Sequence, residues 1–384
     1  MSKTRAWAIG LSIAGVVASL TACSSSEEQA PAAATDCENV LNRSVDDLPA
    51  WIEKPDPVTS GFRGANDNDP AWYSDLQISD EQVQQAKDKK FRAVFLDWAE
   101  APYNNAIADG LKDTMGCLGG EVVSRTVSNF DLTKLSTDVN NVLPLKPDIA
   151  VIGVIDPDAT QAALQPLVDA GVKVVTLIQA TKGWTAGNQY VTEIDYDTKQ
   201  AGKITANAVA KQFPDGAKLG YIYWDQDTPS INQREKAFID TIRSVGNFDV
   251  IAQEPISDPG AVEPVASGLL ARNPDVDVIF APWDLPAQGV KAALAAAGKT
   301  DVKVIHYDLD PQAVTDMQTD GPVFGVTSSL VYEWGRTSAL AGVVAALGGE
   351  VPPLLTVPTF AVTKDNVQEA WEIAYGPHLE FPSE

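Results

Sequence analysis

From about residue 91 onwards, short apolar segments rich in β-branched residues alternate with longer segments that have the period of an amphipathic helix. Several of the apolar segments have no polar face, which is typical of strands in a sheet covered on both sides. Strand and helix in alternation predict an α/β fold of β-α-β units with parallel sheets. The candidate strands are 92–97, 121–127, 148–154, 172–178, 218–224, 248–254, 277–282, 302–307 and 323–329.

The alternation occurs twice along the chain. One series covers residues 91 to about 194 and a second covers about 195 to 329. A last part adds a helix, a strand and a terminal helix. A chain of this length is too long for one ordinary hydrophobic core, so two lobes are expected. Two sheets side by side, joined by several crossings, would leave a cleft between them.

The first 35 residues predict export rather than a folded domain. Two basic residues precede an apolar run (6–20) that is too short to span a bilayer comfortably. The following "LTAC" resembles a bacterial lipobox, in which Cys23 is lipidated and becomes the mature N-terminus; an ordinary secretory signal is the alternative. We predict a signal peptide (1–22) and a flexible tether (23–35). The protein would be lipid-anchored at the extracytoplasmic face of the cell membrane.

The charge and the cysteines narrow the function further. The formal net charge of −24 predicts a surface that repels nucleic acid and anionic lipid, so no nucleic-acid partner is expected.

Beyond Cys23, only Cys37 and Cys117 remain, and two such cysteines usually pair in an oxidising compartment. We predict a disulfide that attaches an irregular N-terminal extension (36–90) to the first lobe. Two independent buried thiols are the alternative.

Polar and aromatic side chains follow many of the predicted strands at the point where each strand ends. In open α/β sheets, ligands bind outside the carboxyl ends of the strands, so these side chains are candidates for one site. Aromatic rings pack against the C–H faces of polyhydroxylated ligands, and carboxylates accept hydroxyl hydrogens. The candidate ligand-binding residues are Asp97, Trp98, Tyr103, Asn104, Gln179, Arg234, Trp283, Asp284, Asp308 and Ser329.

Two of these candidates need separate comment. Arg234 lies near the start of a predicted helix, where it would donate to hydroxyl oxygens and balance acids that are costly to bury alone. Asp284 has an alternative role, because an acid at that position also caps a helix that starts at Leu285.

Catalysis, cofactors and metals are not expected. The chain has two histidines, His306 and His378, and lacks a nucleophile elbow, an H-E-x-x-H pair and a phosphate loop. His306 is expected to pack against a sheet. Paired carboxylates also occur in glycosidases, but several acids with an arginine fit binding as well. The segment 66–70 lacks the glycine and distal glutamate of a calcium loop and is expected to be a turn.

The order and spacing of these segments resemble the ribose-type (class I, pentose/hexose) periplasmic sugar-binding proteins of bacterial ABC transporters. The resemblance covers about residues 91 to 375 and rests on "PYNNAIADGLK", "IDYDTKQAGKITANAVA", "NQREKAF", "VKVIHYDLDPQAV" and "YEWG". It implies two Rossmann-like lobes, joined by a three-strand hinge, that close on one sugar. The implied lobes are 91–194 with 330–356, and 195–329 with 357–384.

The resemblance also implies partners and a ligand class. An ABC permease and its ATPase would receive the ligand from a monomeric binding protein. The family often has an aspartate–arginine pair where Ile178 and Gln179 stand here. Its absence counts against a ring-form ribose or glucose and favours a smaller or linear polyol, such as a pentitol or tetritol; the favoured ligand is a pentose, pentitol or tetritol. A nucleoside-binding lipoprotein and a sugar-sensing module of a membrane receptor are the alternatives.

Overall fold

The computed structural model of the protein describes residues 36–382. The predicted signal peptide, the predicted lipidation site at Cys23 and the predicted tether lie outside the described residues. None of the helices in 36–382 has the length and apolar character needed to cross a bilayer.

The predicted alternation of strand and helix is confirmed, and so is the α/β fold class. The strands in the described residues are β1 (Ala71–Trp72), β2 (Arg92–Asp97), β3 (Glu121–Val127), β4 (Ile149–Gly153), β5 (Lys173–Leu177), β6 (Glu193–Tyr196), β7 (Lys218–Trp224), β8 (Asp249–Ile256), β9 (Val278–Ala281), β10 (Lys303–Tyr307), β11 (Val323–Ser329), β12 (Leu354–Val357) and β13 (Thr359–Thr363). The helices are α1 (Cys37–Leu41), α2 (Asp80–Lys89), α3 (Pro102–Cys117), α4 (Leu132–Val142), α5 (Thr160–Asp169), α6 (Thr198–Gln212), α7 (Pro229–Val245), α8 (Val262–Arg272), α9 (Asp284–Ala296), α10 (Pro311–Gln318), α11 (Val331–Ala346) and α12 (Val367–Tyr375).

The strands form two sheets. The first has the order β1-β12-β6-β5-β4-β2-β3, and all of its strand pairs are parallel. The second has the order β13-β11-β10-β9-β7-β8, in which only β13 runs antiparallel to its neighbour. The chain passes between the sheets after β6, after β11 and after β12. The two lobes and three crossings that the resemblance implies are therefore present.

Two glycines let helices α3 and α11 approach closely in the first lobe. A Cβ on Gly110 would lie 2.1 Å from the carbonyl oxygen of Tyr332, and one on Gly335 would lie 1.8 Å from that of Ile107. Any side chain at either position would push the helices apart. This contact fixes the start of α3, and with it Tyr103, relative to the crossing that leads into α11.

The N-terminal extension contacts both halves of the fold. The predicted disulfide between Cys37 and Cys117 is present and attaches the extension to α3. Strand β1 adds an edge strand to the first sheet through β12. Beyond the predicted contact with the first lobe, Trp51 donates from Nε1 to Glu369 of α12 (2.8 Å) and packs edge-on against Phe360 of β13. The extension therefore reaches the second sheet as well.

Candidate functional site

Proline starts the two helices that carry the candidate residues Tyr103, Asn104 and Arg234. Pro102 and Pro229 occupy the first turn of α3 and α7, where the missing N–H has no intrahelical partner to lose. Each helix therefore begins within a few residues of a strand end, and the side chains of its first turns lie at the carboxyl edge of the sheet. Tyr103 and Arg234 reach this edge in that way.

Two residues with positive φ mark equivalent positions in the two sheets. Ile178 (φ 74°) follows β5 directly, and Asp308 (φ 71°) follows β10 directly. Aspartate tolerates this left-handed conformation, whereas it is strained for a β-branched isoleucine. Strained backbone of this kind is concentrated at ligand-binding sites. It persists there because the surrounding structure restrains the residue in the unfavourable conformation. The backbone therefore changes direction at Ile178 and at Asp308, so neither Gln179 nor Asp308 continues its strand.

Asp97 is fully engaged inside the first lobe. Its Oδ1 accepts from the backbone N of Trp98 (2.7 Å) and from Nδ2 of Asn104 (2.5 Å). Its Oδ2 accepts from Nε (3.0 Å) and Nη2 (2.7 Å) of Arg125. Burial raises the pKa of the Asp97 carboxyl, while Arg125 counteracts that rise. With a side chain that is 0% exposed, Asp97 makes all of these hydrogen bonds within the first lobe, and its direct contact with a ligand stays a prediction.

Arg125 was missed by the sequence analysis. It lies on β3, where its Nη1 donates to Oδ1 of Asn105 (2.8 Å) and its guanidinium lies 5.7 Å from the ring centroid of Phe95. No local pattern in 121–127 distinguishes it from an exposed basic residue. The register of β3 against β2 places it beside Asp97.

Trp98 and Tyr103 form the aromatic wall of the first lobe. Their ring centroids are 6.5 Å apart, with an interplanar angle of 63°. A Cβ on Gly153 would lie 1.9 Å from the Trp98 ring, so this glycine makes room for the indole. Burial, followed by the charge of Asp308, raises the pKa of Tyr103 well above its usual value, so its hydroxyl remains a hydrogen-bond donor.

Gln179 lies beside the loop that follows β4. Its Nε2 donates to the carbonyl oxygen of Ile155 (2.9 Å), and the side chain is buried. Its Oε1 has no hydrogen-bond partner among the described residues. A buried acceptor without a donor is unfavourable by about 1–3 kcal/mol, so a ligand hydroxyl that reached it would gain that hydrogen bond at little cost.

Arg234 joins the two sheets at the base of the cleft. Its Nη1 donates to the hydroxyl of Tyr196, at the end of β6, and its Nη2 donates to the carbonyl oxygen of Pro282 (2.8 Å). The guanidinium stacks 3.8 Å from the ring centroid of Tyr307. Burial alone would lower the pKa of Arg234, but the neighbouring phenols and Asp308 raise it, so the side chain stays charged.

Among residues 36–382, no side chain donates a hydrogen bond to the carboxylate of Asp308 or of Asp284. Burial raises the pKa of Asp308 to about 6, which Arg234 opposes and Asp310 reinforces. Burial raises the pKa of Asp284 to about 7, and the charges of Asp308 and Asp310 add to the effect. Asp284 is the first residue of α9 and not its N-cap, which is Trp283 without a side-chain capping bond, so the alternative that Asp284 caps a helix starting at Leu285 is wrong. The two carboxylates are close enough to repel one another and are suited to accept hydroxyl hydrogens.

Of the remaining candidates, Trp283 and Ser329 lie along the same edge of the second sheet, whereas Asn104 lies on α3 of the first lobe. Trp283 packs against Trp224 with ring centroids 5.3 Å apart at 69°. Ser329 ends β11 and is buried at the crossing that leads into α11. Asn104 is buried and its Nδ2 donates to Asp97, while its contact with a ligand stays a prediction.

A second group missed by the sequence analysis lies at the crossings. Trp334 of α11 packs edge-on against Tyr103 and Tyr196, with ring centroids 6.2 Å and 6.0 Å apart. Aromatic side chains from the crossing after β6 and from the crossing after β11 therefore meet under the cleft. Asp195 of β6 accepts from the hydroxyl of Ser230 (3.0 Å). The pattern of residues around Trp334 is that of an ordinary helix, and the pattern around Asp195 is that of an ordinary strand. Neither pattern marks its residue as part of a site.

No group of three histidine, cysteine, aspartate or glutamate side chains in 36–382 is arranged to hold a metal ion.

The candidate site consists of one aromatic and amide wall in the first lobe, an aromatic and carboxylate wall in the second, and an arginine between them. Such a site can bind a small polar ligand from both sides.

The chain is similar to known binding proteins over most of its length. A family model described as the periplasmic binding protein domain matches residues 92–350. The ribose import binding protein of Escherichia coli (strain K12) is 30% identical over 221 residues, which cover 56% of this chain and 72% of that protein.

Two solved structures share the fold. A solute-binding protein from Agrobacterium vitis with bound α-D-tagatopyranose superposes with a TM-score of 0.67 at 19% identity, over 75% of this chain and 100% of the other. One from Mycobacterium smegmatis with bound glycerol gives a TM-score of 0.65 at 24% identity, over 76% and 99%. The chain therefore belongs to the ribose-type periplasmic sugar-binding protein family, whose members act outside the cytoplasm as binding proteins and not as enzymes.

Proposed function

We propose that this chain is the substrate-binding lipoprotein of an ABC importer, and that it captures a small sugar or sugar alcohol between its two lobes. The observation that carries the proposal is the position of Arg234, which bonds Tyr196 of the first sheet and Pro282 of the second beside the free carboxylate of Asp308. A ligand at this point would touch both lobes.

The ligand class follows from the donors and acceptors along the cleft. Asp308 and Asp284 would accept from ligand hydroxyls, and each such charged hydrogen bond contributes about 1.5–3 kcal/mol. Trp98 and Trp283 would pack against C–H faces of the ligand. The missing aspartate–arginine pair at Ile178 and Gln179 favours a pentose, pentitol or tetritol. Structures of this fold with α-D-tagatopyranose and with glycerol bound support a polyhydroxylated ligand.

Capture would work by closure of the lobes about the three crossings, near Ile194, Ser329 and Thr356. The moving bodies would be 91–194 with 330–356, and 195–329 with 357–384. A ligand that contacts both bodies binds the closed form more tightly and shifts the population toward it. The closed monomer, anchored through a lipid on Cys23, would then deliver its ligand to a permease driven by an ATPase.

A thermal-shift screen followed by calorimetry tests the proposal. The mature protein would be screened with D-ribose, ribitol, erythritol, myo-inositol and adenosine. We expect a pentose or a polyol to raise the unfolding temperature and to bind wild-type protein but not Asp308→Asn. Asp249→Asn, an exposed aspartate of the same lobe, is the matched control and should bind as wild type.

Adenosine decides the main alternative. A planar base would be held best between parallel rings, whereas Trp224 and Trp283 meet at 69°. If adenosine alone raised the unfolding temperature, the ligand would be a nucleoside and not a sugar. A panel without any shift would overturn the proposed function.

A further inference from the structure

A short segment of the N-terminal extension, residues 64–68, packs on the connection between β5 and β6. That connection covers residues 178–192 and contains no helix and no strand, so contacts with other parts of the chain must fix its path. The segment 64–68 lies before residue 92, where the match to the family model begins. Its contacts with the connection are therefore made by a part of this chain outside the shared domain.

Asn66 holds the start of this connection with both ends of its side-chain amide. Its Nδ2 donates to the carbonyl oxygen of Thr181 (3.1 Å), and its Oδ1 accepts from the backbone N of Gly183 (3.1 Å). Turning the amide over would set one N–H group against another and one carbonyl oxygen against another, so the two partners fix its orientation. One side chain therefore satisfies an acceptor and a donor that lie two residues apart in the connection.

The segment 64–68 is itself anchored to the first lobe on both sides of Asn66. The backbone N of Ala65 donates to the two carboxylate oxygens of Glu193 in β6 (3.3 and 3.1 Å), and this side chain is buried. Asn68 donates from Nδ2 to the hydroxyl of Tyr190 (2.9 Å), near the end of the connection. The segment is therefore a fixed support for the connection and not a loose end that rests on it.

The connection carries Gln179, the candidate residue whose buried Oε1 has no hydrogen-bond partner among the described residues. Thr181 follows only two residues later, so a displacement of its backbone also displaces Gln179. On one side, the backbone N of Lys182 donates to the carbonyl oxygen of Pro157 (3.0 Å) in the loop after β4. On the other side, Asn66 makes its two hydrogen bonds. The path of the chain next to Gln179 is therefore held between the lobe and the extension.

We propose that Asn66 is a positioning residue of the ligand site, which holds residues 179–183 so that Oε1 of Gln179 stays in place to accept a hydrogen bond from a ligand hydroxyl. This inference rests on the proposed function, because it assigns a role at the same cleft. Asn66 does not touch the ligand; it acts through the backbone of Thr181 and Gly183. An acceptor that is already in place costs the ligand no binding free energy for ordering it.

Hydrogen exchange of the ligand-free protein measures whether Asn66 holds the connection. In Asn66→Ala the backbone N–H of Gly183 loses its acceptor, so we expect amides in 179–192 to exchange about three- to tenfold faster. The amides of β4 and β5 should exchange as in wild type, because the sheet stays intact. Equal exchange in 179–192 for wild type and Asn66→Ala would overturn the inference.

Asn66→Asp is the conservative variant. It keeps the acceptor for Gly183 and loses the donor to Thr181, so its exchange should lie between those of wild type and Asn66→Ala. If Asn66→Ala does not fold, Asn66→Asp provides the same comparison, with faster exchange than wild type expected and equal exchange against the inference.

Calorimetric titrations with D-ribose, ribitol and erythritol test the effect on binding. We expect Gln179→Ala to weaken binding about three- to tenfold, as for the loss of one uncharged hydrogen bond, and Asn66→Ala to weaken it at least about twofold but no more than Gln179→Ala. The double variant should bind as Gln179→Ala alone, because Asn66 acts on the ligand only through Gln179. Asn188→Ala, at an exposed position of the same connection, is the matched control and should bind as wild type.

The double variant separates positioning from a general effect on stability. If the two effects multiplied, Asn66 would act on binding by a route other than Gln179, and the inference would be wrong. Unchanged affinity of Asn66→Ala would also refute it and would leave the proposed function in place. Failure of all three probes to bind any form would instead count against the proposed function, and hydrogen exchange would still decide whether Asn66 holds the connection.

Discussion

The guanidinium of Arg234 stacks 3.8 Å from the ring centroid of Tyr307 and also donates to the hydroxyl of Tyr196. Tyr307 ends β10 of the second sheet, whereas Tyr196 ends β6 of the first. One helical side chain therefore connects strand ends of both sheets at the place where the chain crosses between them.

Replacing Arg234 by lysine tests this connection. Lysine keeps the charge but loses the planar group that stacks and donates in two directions. We expect ligand affinity to fall by about 10- to 100-fold, which corresponds to the loss of roughly one charged hydrogen bond. Calorimetry measures the change. Arg243→Lys, an exposed position on the same helix, is the control, and equal affinities of the two variants would show that Arg234 has no special role.

Replacing Asp308 by asparagine should stabilise the protein without ligand while weakening binding. Burial raises the pKa of Asp308 from 3.8 to about 6, so this carboxyl contributes stability that is complete below pH 3.8 and is lost as pH rises through 6. Asparagine has no such loss and accepts the positive φ. After allowance for partial exposure, we expect a gain of about 1 kcal/mol at pH 8, or roughly 2–4 °C.

Thermal unfolding of the variant and of wild type at pH 4 and pH 8 measures this effect. The difference in unfolding temperature should appear at pH 8 and nearly disappear at pH 4. A variant that is less stable than wild type at pH 8 would mean that the Asp308 charge is stabilised by its surroundings.

Removing the disulfide should affect stability and not binding. With Cys37 and Cys117 both changed to serine, the loss of a bridge that spans 80 residues should lower the free energy of unfolding by about 2–4 kcal/mol. Cys117 ends α3 and Tyr103 lies at its start, about 20 Å away along the helix. Urea denaturation measures the loss. Affinity that changed by more than about twofold in the folded double variant would connect the extension to the cleft.

Trp51 should restrain the lobes relative to one another. Its extension is held to the first sheet through β1, while its indole contacts Phe360 and Glu369 on the side of the second. We expect Trp51→Ala to increase the radius of gyration of ligand-free protein in small-angle scattering. Trp51→Phe keeps a ring against Phe360 and should give a smaller increase. Identical profiles for wild type and Trp51→Ala would show that the extension does not limit opening.

Much of the fold could be read from the sequence because its signals are local. Each of the nine candidate strands forms, since an apolar run bounded by amphipathic helices has one favourable place between two helical layers. Strand ends were readable for the same reason: the change from apolar to polar residues marks where a strand leaves the sheet. The disulfide followed from the number of cysteines.

The strands at the crossings were harder to recognise. β6 and β12 are four residues each and β6 carries two acids, and neither was among the candidate strands. They form because each completes the hydrogen bonding of the first sheet beside the other.

The sequence by itself determined the order of strands and helices, the cysteine pair and which polar residues stand at strand ends. Only the tertiary structure decided how those residues are used. From the sequence, Asp97 is interpreted as a free acid, but β3 places Arg125 against it. His306 is interpreted as a core residue, but the start of α10 places Asp310 beside its ring. Hydrogen-bond partners are chosen by distance in space. Strand register and helix packing set those distances, and neither is encoded in the neighbourhood of a single residue.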